Sequence, residues 1–479
     1  MIRNISHASG VIQVVIALFI MILSSFVPAF AMKTEFTPSC YISEDYTDNY
    51  DQTKNNREEE FYTTYGLEFL LSFIEKNKEI YLRYTPLYKD YDKHDENDTI
   101  ENNVALYGDI ELSKRAGINF NLVYDDYNED NKRQSWESSA SLGGDYQLTK
   151  YTTSNFLQEY TKSYDRTERT GEWKEHETNS TSAGFFHQFG RNNSMGLNYT
   201  YSVDDYDESD VDEYKEHNPS AFLVYWFAPL FGVDTNISYE KTEYDISDDE
   251  PETYSGDIRF IKKMTKHFQL YLKYAHTYTK EEIEDHTVYN PSVGFDWSIT
   301  EDSGVSLGFG YMIQDWEKQD DTDGFFVEAD IFKTVDFSRR GSFTVSGSSG
   351  YDATSDDAAS LGFNIYYQAG FLVSYQLSKK LSTDISGAYL RDEFDQPDVD
   401  RVDNTFDFGA GFAWVPLKWL QIDLTYFFTD FATDSADRDD YHENRATLTV
   451  SLVPSQPLRI KPGANENREY FENRIFNNR

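Results

Sequence analysis

The chain of 479 residues has a single cysteine, Cys40, so no disulfide can form within it. Apolar residues make up only 39%, below the roughly 45–50% of soluble globular proteins. Past residue 31 there is no run of the about 20 nearly uncharged residues that a membrane helix needs, which excludes a helical membrane bundle. Positive charge is scarce as well: 43 Lys+Arg stand against 84 Asp+Glu, for a net charge of −41. A polyanion would be repelled, which argues against nucleic acid as a partner. Low apolar content with high charge fits a disordered chain, but such chains are poor in aromatics. This one has 37 Tyr and 35 Phe. What remains is an ordered fold that is polar and Tyr-rich at once.

The one long apolar run lies at the start. Arg3 precedes Val11 to Val27, and Pro28-Ala29-Phe30-Ala31 ends in the small-x-small pattern of a secretory cleavage site. Residues 1–31 are therefore expected to be a signal peptide. Cys40 lies too far past that site to be a lipidated first residue.

The body of the chain reads with period two. Val305, Leu307, Phe309, Tyr311 and Ile313 alternate with Ser306, Gly308, Gly310 and Met312. Met195 to Val203, Leu420 to Phe428 and Ala446 to Leu452 repeat the pattern. Alternation places one set of side chains on each face of a strand, here one apolar and one polar. The connections fall into two kinds. Short ones such as Glu75–Glu79, Ser113–Gly117, Gly190–Asn193, Lys262–His267, Ser338–Gly341, Ser378–Lys380 and Pro416–Lys418 are mostly basic. Between them lie longer acidic segments: Asp125–Glu137, Asp204–Glu213, Asp245–Glu252, Glu317–Asp323, Asp392–Asp403 and Asp430–Asp440. Tight turns on one side and longer polar loops on the other describe an all-β, up-and-down antiparallel transmembrane barrel. About 22 strands fit residues 32–454, with the turns periplasmic and the acidic loops external. Closure matters because unpaired backbone groups in lipid cost several kcal/mol each. Residues 455–479 extend past the last strand as a periplasmic tail, whose net basic charge suggests entry into an acidic lumen.

Two segments carry a resemblance: Phe36-Thr37-Pro38-Ser39 followed by Glu44-Asp45-Tyr46-Thr47-Asp48-Asn49, and Tyr441-His442-Glu443-Asn444-Arg445 leading to Leu452-Val453-Pro454. They resemble the opening and the end of outer-membrane β-barrel proteins found with exopolysaccharide and exosortase (PEP-CTERM) systems. The resemblance implies an outer-membrane location in a Gram-negative cell, contact with lipid and lipopolysaccharide, and surface-polysaccharide export machinery as a partner. It brings no catalytic residue and no cofactor.

If the apolar set faces lipid, the other set lines a lumen. That set contains Asp109, Glu111, Asp234, Glu240, Asp296, Glu328, Asp330, Asp384, Asp407 and Asp423, against Arg83, Arg259 and Lys273. Such a lumen would favour cations. Trp226, Trp297, Trp316, Trp414 and Trp419 lie near strand ends, as interfacial girdles require. No H-E-x-x-H or G-x-S-x-G motif is present, so no enzyme is expected. Gln319 to Asp330 comes closest to a calcium loop but lacks its first acid and final Glu, so no specific metal site is expected. The acidic loops could still hold divalent cations loosely. Two functional readings follow: a porin-like channel, and a closed structural barrel whose acidic loops bind cations or surface polymer.

Overall fold

The computed structural model describes residues 32–461, apart from 56, 95–96, 131–132, 167–172, 207–212, 246–249, 282–284, 301, 319–320, 353–362, 396–400 and 436–439. The expected signal peptide and the tail beyond 461 lie outside the described residues.

Residues that alternate along the sequence form strands throughout. In order they are β1 (Lys33–Thr47), β2 (Glu60–Glu75), β3 (Lys78–Tyr91), β4 (Thr99–Ser113), β5 (Ala116–Asp130), β6 (Arg133–Thr149), β7 (Thr152–Arg166) and β8 (Trp173–Gln188). Then come β9 (Ser194–Tyr206), β10 (Tyr214–Ala228), β11 (Phe231–Tyr244), β12 (Glu252–Lys263), β13 (Phe268–Lys280), β14 (His286–Thr300), β15 (Ser303–Trp316) and β16 (Thr322–Ser338). The last are β17 (Gly341–Asp352), β18 (Phe363–Ser378), β19 (Leu381–Asp395), β20 (Arg401–Leu417), β21 (Leu420–Thr433), β22 (Tyr441–Leu452) and the short β23 (Leu458–Lys461). Each of the first 22 pairs antiparallel with its sequence neighbours, and β1 pairs with β22, so the sheet closes into a 22-stranded barrel. At about 4.8 Å per strand the wall is roughly 106 Å around.

Register separates the two faces. Phe260, Leu272, Val293, Phe309 and Val327 are direct cross-strand partners in one row. The first four are 50–58% exposed. One residue along, Asp234, Arg259, Lys273, Ser292 and Gly310 form the next row on the opposite face. Contacts that skip strands identify the concave side: Arg259 of β12 reaches Asp296 of β14, and Lys273 of β13 reaches Glu328 of β16. Only on the inside of a curved wall do side chains of non-adjacent strands converge. The polar row is therefore inner and the apolar row outer. Apolar exposure on this scale marks a surface that meets something other than water.

Several acidic segments expected as loops are partly strand. The sequence reading puts Asp125 to Glu137 between strands, yet Asp125 pairs with Glu137 and Asp126 with Trp136. Likewise β19 runs to Asp395 and β21 to Thr433. Past the apolar band both faces of a hairpin are wet. Alternation then disappears from the sequence although the ladder continues. Three short connections, Lys150-Tyr151, Pro229-Leu230 and the one between Thr300 and Ser303, are not among the turns read from sequence.

The closing seam joins the two segments that carry the resemblance. Thr47 Oγ1 donates to Glu443 Oε1 (2.7 Å). The Asn444 backbone N–H donates to Asp48 Oδ1, and Asn444 Nδ2 to Asp48 Oδ2, both at 2.7 Å. Asn49 is fully buried; its Nδ2 donates to the carbonyls of His442 and Thr53 (2.9 Å each), and its Oδ1 accepts from Thr53 N (3.0 Å). At the other end of β1 the partner changes. β22 covers Cys40 to Thr47, whereas β23 covers Thr34 to Phe36. Pro38, which has no N–H to donate, lies between these two partners. The start of the tail is thus part of the wall, with Leu458 and Ile460 exposed. That is a correction to the expectation of a tail entering the lumen from residue 455; residues 462–479 lie outside the described set.

Candidate functional site: a charged recess on the inner wall

The inner residues named from sequence all share one face by register, but only some of them meet. Asp234, Arg259, Lys273, Asp296, Glu328 and Asp330 gather on β11 to β16. Arg259 forms an ion pair with Asp296, whose carboxylate also accepts from Gln269 Nε2 and Ser306 Oγ at 2.7 Å each. Lys273 Nζ lies 2.9 Å from Glu328 Oε1. The Arg259 guanidinium stacks 4.0 Å from the centroid of the Tyr271 ring. Two glycines make that stack feasible. Tyr271 lies across Gly294 and Gly308, and a Cβ on Gly308 would fall 2.5 Å from the Tyr271 hydroxyl.

Asp234, Asp257, Arg259, Tyr271, Lys273, Glu328, Asp330, Ser348, Ser349 and Tyr366 line a recess of about 540 Å³. Its lining extends from β10 to β18, eight strand spacings or about 38 Å along the wall. Side chains so far apart along the sheet can share one recess only where the wall bends sharply inward. Five carboxylates (Asp234, Asp257, Asp296, Glu328, Asp330) face two cations here. With both cations paired, Asp234, Asp257 and Asp330 carry the excess negative charge.

The other sequence-named residues lie elsewhere on the inner face. Arg83 donates to Asn103 Oδ1 (3.3 Å) in a separate recess that holds Glu68, Glu101 and Asp125. Asp109 pairs across to Glu79 and Asn119, and Glu111 to Gly117, close to the turns. Glu240 accepts from Asn218 Nδ2 (3.1 Å). Asp384 lies over Gly411. Asp407 accepts from Thr429 Oγ1 (2.7 Å) and Asp423 from Gln421 Nε2 (2.9 Å). Sequence reasoning missed Asp257 and Tyr271. Each is two residues before a cation it did find, which is the period-two signal that could have shown them.

Of the tryptophans, Trp297, Trp414 and Trp419 are 46–50% exposed, and register puts Trp297 and Trp414 on the outer face near the turns, as a girdle requires. Trp226 is a correction. It pairs with Gly232 on the inner face, and Lys263 Nζ lies 3.7 Å over its ring. Trp316 pairs with His286 at the loop end of β15. Among the described residues no group of three or more His, Cys, Asp or Glu is arranged to hold a metal ion.

These features define an outer-membrane-type β-barrel. Among solved structures, the chain is similar to the ferric enterobactin receptor PfeA of Pseudomonas aeruginosa (8% identity, 87% of this chain and 80% of that one covered, TM-score 0.55). It is also similar to the siderophore receptor PirA of Acinetobacter baumannii (10%, 87% and 80%, 0.55). The FrpB iron transporter of Neisseria meningitidis is a third such neighbour (9%, 87% and 81%, 0.57). At these identities the likeness is one of fold. These neighbours are receptor and transporter barrels rather than enzymes. No family model and no curated protein matches the chain.

Proposed function

We propose that the protein is a porin-like, cation-favouring channel of the outer membrane that serves surface-polysaccharide export. The observation that carries the channel reading is the inner recess, where five carboxylates meet two cations inside a wall whose outer face is apolar. A unit charge about 5 Å from a permeating ion in water contributes about 0.8 kcal/mol, or about fourfold in local concentration. Three unpaired carboxylates would therefore favour cations more than tenfold at low salt. The link to polysaccharide rests on the two terminal segments and their resemblance. Siderophore uptake is not carried over from the structural neighbours, because that likeness concerns fold alone.

The test is a planar-bilayer measurement of reversal potential in a potassium chloride gradient. The parent is expected to pass cations over anions, and the variant Asp234→Asn/Asp257→Asn/Asp330→Asn to lose most of that preference. A barrel that conducts no ions would favour the closed scaffold, its acidic loops holding divalent cations or polymer.

A further inference from the structure

The inner wall is not acidic everywhere. Asp234 faces inward and pairs with Val224 of β10, so Phe222, two residues along, faces inward as well. Phe222 pairs with Gly196 of β9, and Gly196 with Phe186 of β8. Phe186, Gly196, Phe222 and Asn236 thus form one inner row, and Asn155, Gly184, Asn198, Ser220, Ser238 and Ser255 form the next. The two rows line a recess of about 320 Å³ that extends from β7 to β12. Among the described residues that line it, none is charged.

Phe186 and Phe222 are 39% and 36% exposed although they face the lumen, and their ring centroids lie 6.2 Å apart. The Phe222 ring lies across Gly196, where a Cβ would fall 2.2 Å from its Cε1, so the glycine lets the ring lie low on the wall. Asn155 lies across Gly184 in the same way. Covering Gly196 takes only one ring, and Phe186 stands beside it as a second. Around the rings, amides and hydroxyls keep hydrogen-bonding capacity. Asn198 makes only the 3.3 Å contact to Thr200, and among the described residues the side chains of Asn155, Ser220 and Ser238 have no hydrogen-bond partner.

Exposed rings bordered by amides and hydroxyls match the chemistry of a sugar. A pyranose has apolar C–H faces that stack on an aromatic ring, and hydroxyls at its edge that each donate and accept. A nucleobase also stacks, but the acidic lumen repels its phosphates. A wholly apolar ligand would leave the amides unmatched. Charge narrows the sugar further. Phe222 and Asn236 also line the charged recess, and Asn236 Nδ2 donates to Asp257 Oδ1 (3.0 Å). A chain lying on the rings therefore runs on to Asp234, Asp257 and Asp330, which repel uronate or phosphorylated units. We propose that Phe186 and Phe222 form a stacking platform for an uncharged sugar chain in the lumen, an inference that rests on the channel reading and names what the channel carries.

Calorimetry on the purified barrel, in micelles of a detergent without a sugar headgroup, measures binding whether or not the barrel conducts. The probes are the neutral hexamers maltohexaose and cellohexaose and the anionic hexamer of galacturonate. At least one neutral hexamer is expected to bind the parent, and the galacturonate hexamer to bind about tenfold more weakly or worse. Phe186→Leu/Phe222→Leu keeps apolar bulk over Gly196 but removes the stacking faces, and should weaken neutral binding roughly tenfold. Phe186→Tyr/Phe222→Tyr restores the faces and should bind as the parent does. Asn155→Ala, at a side chain without a hydrogen-bond partner, should weaken binding roughly threefold. Heat-modifiable gel migration checks that each variant is a folded barrel. No neutral binding to the parent overturns the platform. So does parent-like binding by the Leu variant, or by Asn155→Ala should the Leu variant not fold. Equal or tighter binding of the galacturonate hexamer overturns the uncharged class. In planar bilayers the neutral hexamer should interrupt the parent's current and not that of the Leu variant. Ring-dependent binding to a barrel that passes no current overturns the channel and keeps the platform, whereas current without sugar binding does the reverse.

Discussion

Replacing Asn49 by alanine tests whether the closing seam is held by side chains from both ends of the chain. Asn49 is fully buried and makes three hydrogen bonds, two from its amide to the His442 and Thr53 carbonyls and one accepted from Thr53 N. Each is worth about 1 kcal/mol net, and stranding a buried partner costs about 1–3 kcal/mol more. The expected loss is about 3–4 kcal/mol for Asn49→Ala. The assay is urea unfolding of the purified barrel in detergent micelles, read by the loss of heat-modifiable gel migration. Urea slopes grow with the surface exposed on unfolding and exceed about 3 kcal/mol per molar for a chain of this size. The midpoint should therefore fall by up to about 1 M. Asn198→Ala is the control, since that exposed inner-face residue makes only a 3.3 Å contact to Thr200. A midpoint equal to the parent's, or an equal shift in the control, would refute the seam argument.

Three further outcomes are expected. Asp403→Ala removes the carboxylate that the 8% exposed Arg401 guanidinium holds through Nε at 3.0–3.1 Å, while its contact with the Phe394 ring (4.6 Å) remains; the cost should be about 1–3 kcal/mol, read as a fall in the urea midpoint. Arg259→Gln removes the cation beside Asp296, so the cation-to-anion permeability ratio read from reversal potentials at low salt should rise about fourfold, and no change would place Arg259 off the ion path. Asp440 has its carboxyl held below the usual carboxylate range, first by the hydrogen bond from Lys54 Nζ (2.6 Å) and then by the Thr433 N–H. Because the folded value is depressed, this link contributes stability above the ordinary carboxylate range and loses it as pH falls through the lowered value. Proteolysis of the segment before β2 should thus rise only in that acid window, and Lys54→Met should abolish the step.

Most of the wall could be read from the sequence because one face meets an apolar medium and the other water. Where that contrast holds, as from Val305 to Ile313, period two marks both the strand and its face. Where both faces are wet, as from Asp125 to Glu137, the hairpin persists without a pattern. The recess was half legible. Period two gives the face of Asp234, Arg259 and Lys273, but which inner residues meet depends on how the wall bends and on where the upper parts of β17 and β18 pack. Neither leaves a periodic trace. Tyr351 and Ile365 read as ordinary outer-face residues, yet they pack on Val288, Met312 and Phe326 of the inner face.

The seam also sets the order in which the barrel can be made. Ser43 and Thr449 face each other across it, 406 residues apart, and every strand between them must be delivered before they meet. Closing a bare loop of that length costs about 5 kcal/mol of chain entropy, less if hairpins have already shortened the path. Until then the free edge of β1 presents unpaired N–H and C=O groups, a template for the wrong partner. A chain that stopped before Tyr441 would retain that edge permanently, as an open sheet rather than a smaller pore. The groups that end this exposure, Thr47, Asp48 and Asn49 at one end of the chain and His442, Glu443 and Asn444 at the other, make completion of the last strand the event that commits the whole wall.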